Sequence, residues 1–130
     1  MFFPNTQNSA ASITLVEGKV RRRISLSDIL FIQSEHIYMR IFLRDGQKIL
    51  HRGALRDLIQ QLPNRSFLQI HRSYIINLQW VNRYSNGIAQ VAGQEIPVSR
   101  TYRKIMREAL SKALHVSVQN KNRSVQNRAI

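Results

Sequence analysis

The stretch that decides the fold reads Phe67-Leu68-Gln69-Ile70-His71-Arg72-Ser73-Tyr74-Ile75-Ile76-Asn77-Leu78. It contains two short runs of branched aliphatic and aromatic residues, 67–70 and 73–78, on either side of a polar His-Arg pair. Residues of these types, in runs of this length, are typical of β-strands. The stretch therefore predicts two strands, with Arg72 at the mouth of a strand or in a loop.

The same pattern extends in both directions from this stretch. Aspartate-glycine and asparagine-glycine pairs, such as Asp45-Gly46 and Asn86-Gly87, predict turns between the runs. Further strands are predicted at 13–16, 19–26, 29–32, 37–43, 49–50, 80–81, 88–91 and 96–98. Apolar residues at helical spacing predict a short helix at 54–62, ended by Pro63, and a second helix at 101–114. The predicted fold class is mainly β, with packed antiparallel sheets, one short internal helix and a C-terminal helix. A helix-turn-helix is disfavoured, because the central region has only one convincing amphipathic helix.

The composition predicts three segments. Residues 1–12 are polar and aperiodic after Phe3, which is typical of a flexible lead-in or the end of a linker. Residues 13–114 form the domain. Residues 115–130 are rich in Asn, Gln and Ser, carry basic but no acidic residues, and are predicted to be a disordered basic tail. A domain that acts alone and the C-terminal part of a longer chain both stay open.

The charge is strongly unbalanced, with 20 Lys and Arg against 7 Asp and Glu, or +13 in total. Such an excess predicts a polyanionic partner, either nucleic acid or an anionic membrane surface. Arginine supplies most of the positive charge, and its forked guanidinium suits phosphates and guanine edges. The composition therefore favours nucleic acid, with a basic surface kept only for solubility as the plain alternative.

Several other classes are disfavoured. The chain has no cysteine, which excludes disulfides and thiol nucleophiles and allows a reducing, cytoplasmic location. It has no secretory signal and no apolar run of membrane-spanning length. The histidines and acids show no metal-ligand or acid–base spacing, and there is no Gly-rich phosphate loop. We therefore expect no enzyme, no metal, no cofactor, no small-molecule substrate and no insertion into a membrane.

The chain resembles a known family at the stretch quoted above, which is similar to the central signature of the LytTR DNA-binding domains. The similarity runs from about residue 13 to residue 107. Three more segments agree in order and spacing: Ile29-Leu30-Phe31-Ile32 followed by Ile37-Tyr38, then Leu55-Arg56-Asp57-Leu58, and Ile96-Pro97-Val98-Ser99-Arg100-Thr101-Tyr102. The resemblance implies an elongated β-sandwich of stacked antiparallel sheets, whose loops at one end enter successive major grooves. It also implies a transcription regulator that recognises a DNA sequence.

The resemblance places DNA contacts in three regions. They are the loop and strand start around residues 35–39, the Arg72 loop, and the connection before the last helix. The candidate residues are His36, Tyr38, Met39, Arg72, Ser73, Arg100 and Arg103. A loop arginine can pair with guanine O6 and N7, and serine hydroxyls can bind phosphate oxygens. The plain alternative for both Arg72 and Arg100 is an ordinary solvated charge, and His71 is expected to orient its loop without contacting a base.

The expected partner is double-stranded DNA, with two copies bound to a direct repeat. In the free state we expect a monomer, because no long apolar heptad offers a dimer seam. The alternative function is a nonspecific module that binds nucleic acid, including RNA, or an anionic surface. An RNA module would have aromatic and basic residues interleaved along a strand face, whereas these aromatics lie mostly at apolar-periodic positions.

Overall fold

The computed structural model describes the backbone of residues 11–118 and the side chains of residues 11–112. Within this range the chain is mostly β-strand, with one short helix in the middle and a longer helix at the end. The strands are β1 Ser12–Glu17, β2 Val20–Ser25, β3 Ile29–Glu35, β4 Tyr38–Leu43, β5 Lys48–Arg52, β6 Phe67–His71, β7 Tyr74–Asn77, β8 Val81–Ser85, β9 Ile88–Val91 and β10 Gln94–Pro97. The helices are α1 Leu55–Ile59 and α2 Arg103–Val118.

The strands form three antiparallel sheets. The central sheet has the order β5-β4-β3-β7-β6, so β3 and β7 pair although α1 and three strands, β4, β5 and β6, separate them in sequence. β1 and β2 form a two-stranded hairpin, and β8, β9 and β10 form a meander in the order β10-β9-β8. All the strand pairs are antiparallel. Most connections are therefore short turns.

The central sheet is apolar on both faces, which explains why its strands are nearly continuous apolar runs. One face packs against the β1–β2 hairpin and α1, through Leu15, Ile41, Leu58 and other residues. The opposite face packs against the β8–β10 meander and α2, through residues such as Ile76 and Met106. The register of β3 shifts between Ile29 and Phe31, so these two residues point into different cores. The stacked sheets confirm the predicted fold class.

Helix α1 is shorter than the prediction of 54–62, although its buried face is as predicted. Leu55, Leu58 and Leu62 are all buried in the same core. After Ile59 the amides of Gln61 and Leu62 bond to carbonyls three residues back, so the last turn is tighter than an α-helix. Apolar spacing predicts the buried face correctly but does not distinguish an α-turn from this tighter turn.

The ends of the described region differ slightly from the predicted boundaries. β1 begins at Ser12, and α2 continues to Val118, past residue 115 where the tail was predicted to start. Residues 1–10 and 119–130 lie outside the described residues, so the lead-in and tail assignments stay predictions. Neither helix between residues 11 and 118 is long and apolar enough to cross a membrane.

Candidate nucleic-acid interface

Alternation of strand direction gathers every second connection at the same end of the domain. At that end lie the β1–β2, β3–β4, β6–β7 and β8–β9 turns, the end of β5 and the connection from β10 to α2. We call this surface the basic end, and its residues are Gly18-Lys19, His36-Ile37, Arg52-Gly53, Arg72-Ser73, Asn86-Gly87 and Ser99-Arg100. All three regions of predicted DNA contact are therefore found at one end.

Backbone hydrogen bonds link the segments of the basic end that belong to the central sheet. The Ser34 amide donates to the Ser73 carbonyl at 2.9 Å, which ties the end of β3 to the β6–β7 turn. The Gly53 amide donates to the Ile37 carbonyl at 2.9 Å, which ties the end of β5 to the β3–β4 turn. These bonds hold the turns next to each other as a fixed surface.

The connection from β10 to α2 is attached to two other turns. The Ser99 amide donates to the Ile70 carbonyl at 2.9 Å, beside the end of β6. The Val98 amide donates to the Gly87 carbonyl at 2.8 Å, in the β8–β9 turn. The next residue, Arg100, starts a 3-10 turn, Arg100–Tyr102, and is exposed. Arg100 thus directly follows a segment that is hydrogen-bonded to β6 and to the β8–β9 turn.

The β3–β4 turn presents two of its three predicted contact residues. Glu35 pairs with Tyr38, so His36 and Ile37 form a two-residue turn in which His36 has a φ of 60°. His36 is exposed, and Tyr38 is 38% exposed. Met39 is only 1% exposed and packs in the core with Ile41. The prediction that Met39 contacts DNA is therefore wrong, because strand alternation turns its side chain inward.

The β6–β7 turn presents Arg72 to solvent. His71 pairs with Tyr74 across the hairpin, which leaves Arg72 and Ser73 as the two turn residues. The Ser73 amide donates to Nδ1 of His71 at 3.0 Å, and the His71 ring packs edge-on against Tyr74. Arg72 is exposed and Ser73 is half-buried. His71 therefore braces the turn through a backbone amide, as expected of an orienting residue.

Arg103 is placed differently from the other predicted contacts. It is the first residue of α2, its side chain is half-buried, and its Nε donates to the Val98 carbonyl at 3.2 Å. One of its five N–H groups is thus used inside the protein. The following residue, Lys104, is exposed.

Two basic residues of this surface were missing from the sequence prediction. Arg52 is exposed at the end of β5, directly opposite Tyr38 in the strand register. Lys19 is exposed in the β1–β2 turn. Gly18, Tyr38 and Arg52 line a common shallow cavity, which shows that these segments adjoin. Counting alternate connections from the predicted strands would have placed both cations at this end.

The cations of the basic end are not neutralised by ion pairs. In the part of the chain that the structure describes, the ion pairs are Arg22–Glu17, Arg40–Glu35 and Arg44–Asp28. Lys19, Arg52, Arg72 and Arg100 take part in none of them. Asp28 and Asp45 lie at the opposite end of the domain. The Arg44 amide donates to the Asp28 carbonyl, Asp45 follows Arg44 in the chain, and the Arg44 guanidinium covers the Trp80 ring. The uncompensated positive charge of these four residues is therefore concentrated at the basic end.

The described residues offer little for metal chemistry. Among side chains of residues 11–112, no three histidine or acidic groups lie close enough together to hold a metal ion.

A small β domain whose loops form one basic, exposed end has the properties of a nucleic-acid-binding module. Residues 19–111 match the family described as the LytTr DNA-binding domain. The chain belongs to this family.

Bacterial regulators are among the similar proteins. The sensory transduction protein LytT of Enterococcus faecalis is 33% identical over 93 residues, which cover 67% of this chain and 38% of that protein. The transcriptional regulatory protein BtsR of Escherichia coli is 29% identical over 93 residues, with the same 67% and 38% coverage. The chain thus spans about two fifths of these relatives (38%). A LytTr DNA-binding domain from Bacillus cereus shares the fold, with a TM-score of 0.66 at 20% identity, covering 77% of this chain and 96% of that one.

Proposed function

We propose that this domain binds duplex DNA in a sequence-specific manner through its basic end, and that it serves in the regulation of transcription. The observation that carries this proposal is the convergence of Arg72, Arg100 and the His36–Tyr38 segment on one end of the fold. These residues come from three separate parts of the chain. Both arginines are exposed and neither is engaged in an ion pair within residues 11–112. They are free to leave the surface and enter a groove.

The two arginines are proposed to read base edges in the major groove. Each is on a short connection between elements, and a guanidinium there can donate two parallel hydrogen bonds to guanine O6 and N7. His36 and Tyr38 in the β3–β4 region are proposed to contact the same duplex from the neighbouring turn. The two arginines would supply most of the sequence preference.

Residues around these arginines are proposed to bind the phosphate backbone. Ser73 has a hydroxyl beside Arg72, and Lys19 and Arg52 extend the positive surface across the β1–β2 and β5 side. Contacts of this kind fix the protein on the duplex without reading sequence. They also make binding strongly dependent on salt, since each neutralised phosphate releases counterions.

The regulatory role and the mode of assembly are proposals that rest on the family and its relatives. Two relatives carry regulatory or sensory names, and transcription regulators of bacteria act in the cytoplasm, where we place this domain. We further propose that two copies bind a direct repeat, so that both basic ends face the same side of the duplex.

A comparison of three ligands tests the proposal. Gel shifts with duplex DNA and single-stranded RNA, and a sedimentation assay with anionic lipid vesicles, are performed at equal salt. Specific DNA binding predicts that the complex with one selected duplex persists in the presence of excess random duplex. Equal binding of duplex, RNA and vesicles would contradict it and would favour the alternative of a nonspecific polyanion-binding module, to which the charge of +13 also points.

A further inference from the structure

Arg103 is held against the protein, unlike the basic residues that follow it. Lys104 and Arg107 are exposed on α2, whereas Arg103 is half-buried. Its Nε donates to the Val98 carbonyl at 3.2 Å, five residues back along the chain. The guanidinium is therefore directed toward the β10 end of the connection that carries Arg100.

The guanidinium of Arg103 fills the space beside Gly87. Gly87 is buried with a φ of +73°, and a Cβ added there would lie 2.7 Å from Cζ and 3.1 Å from Nε of Arg103. The Gly87 carbonyl accepts the Val98 amide at 2.8 Å. Arg103 thus contacts both residues of the hydrogen bond that joins the β8–β9 turn to the end of β10.

Hydrogen bonds within residues 98–103 form a compact loop that includes Arg100. The Arg103 amide donates to the Arg100 carbonyl, and the Tyr102 amide donates to the Ser99 carbonyl at 2.8 Å. The Arg103 side chain completes the loop at Val98. The backbone of Arg100 is therefore enclosed between Val98 and Arg103.

We infer that Arg103 is a positioning residue, which fixes the backbone of Arg100 by bridging Val98 and Gly87. The inference deepens the proposed function and rests on it in so far as Arg100 reads a base. The bridge requires a guanidinium, because this group lies beside Gly87 while its Nε donates to the Val98 carbonyl. A lysine keeps the charge but has only a terminal ammonium on a flexible stem, so it cannot make both contacts.

The first test needs no DNA. Amide hydrogen exchange is measured at Ser99 and Tyr102 in the wild type, Arg103→Lys and the control Lys104→Gln. Losing one hydrogen bond typically changes an opening equilibrium by about fivefold, so Arg103→Lys is expected to speed exchange at these amides by about that factor. Lys104→Gln should leave both rates unchanged. Unchanged exchange in Arg103→Lys would overturn the inference.

The second test measures the ratio of affinity for a selected duplex to affinity for random duplex, over a series of salt concentrations. Arg103→Lys is expected to lower this ratio by about five- to tenfold, which is within the range of about 5- to 150-fold for a lost bidentate base contact. The salt dependence should stay unchanged, because the charge is kept. Gly87→Ala perturbs the same contact with every charge in place and should act in the same direction.

Two outcomes are decisive. If Arg103→Lys keeps the full ratio while Arg103→Gln weakens binding to both duplexes equally, Arg103 is a phosphate contact and the inference is wrong. If the wild type shows no preference between the duplexes, the proposed function fails, and the exchange rates alone decide whether Arg103 fixes the Arg100 segment.

Discussion

Replacement of Arg72 by alanine should separate folding from recognition. The side chain of Arg72 is exposed in the two-residue β6–β7 turn and is in none of the ion pairs of residues 11–112. The bonds that hold this turn use other atoms: the Ser73 amide with His71, and the Ser73 carbonyl with Ser34. The free energy of unfolding should therefore change by less than about 0.5 kcal/mol, as for other exposed substitutions.

Binding should change far more than stability. A bidentate contact to guanine is worth about 1–3 kcal/mol of discrimination, so affinity for the selected duplex should fall by about 5- to 150-fold. Affinity for random duplex should fall only by the contribution of one charge. On both duplexes the slope of log affinity against log salt should flatten by at most about 0.9.

Fluorescence anisotropy over a salt series measures both quantities. The matched control is Arg65→Ala, which removes an exposed arginine before β6, at the opposite end of the domain. It should leave the affinity ratio unchanged. Equal losses on selected and random duplex for Arg72→Ala, or an equal effect of Arg65→Ala, would refute base recognition by Arg72.

Three further predictions concern stability, assembly and charge. Asn77 is 1% exposed, donates to the Leu26 and Ile29 carbonyls and accepts the Gln79 amide, so Asn77→Ala should lower the free energy of unfolding in urea by about 2–4 kcal/mol. A shift below about 1 kcal/mol would contradict this reading. Inserting about 5 base pairs, half a helical turn, between half-sites should abolish cooperative binding in a gel shift, whereas indifference to spacing would mean independent copies. Deleting residues 119–130, which carry Lys121, Arg123 and Arg128, should flatten the salt slope by up to about three units without changing base preference. An unaltered slope would show that this segment never meets DNA.

The sequence predicts the strands well because the signals that define them are local. The apolar runs around Ile75 and Ile41 and the Asp45-Gly46 turn need no knowledge of distant residues. The division of the chain into three sheets is not local. It depends on β3 pairing with β7, and apolar periodicity says nothing about which strands become neighbours.

The candidate site was predictable in outline and less so in detail. Placement of Arg72 and Arg100 on exposed connections is confirmed, while their DNA contacts stay predictions. The burial of Met39 could have been predicted from the alternation of side chains along a strand, since Met39 shares a strand face with Ile41 and Leu43. The inward direction of the Arg103 side chain could not have been predicted from the sequence. It depends on Gly87, which is 16 positions away in sequence and contacts Arg103 only after β8–β10 have folded.

The measurement that tests sequence-specific recognition most directly is the selection of bound duplexes from a random library. It is performed in parallel with the wild type and with Arg100→Ala. Sequence-specific recognition through the basic end predicts that the wild type enriches a defined motif containing G·C pairs. It also predicts that Arg100→Ala enriches the same motif with preference relaxed at one base pair. Enrichment of no motif by the wild type, at a salt concentration where it still binds DNA, would contradict specific recognition. An identical motif from both proteins would show that Arg100 does not read a base.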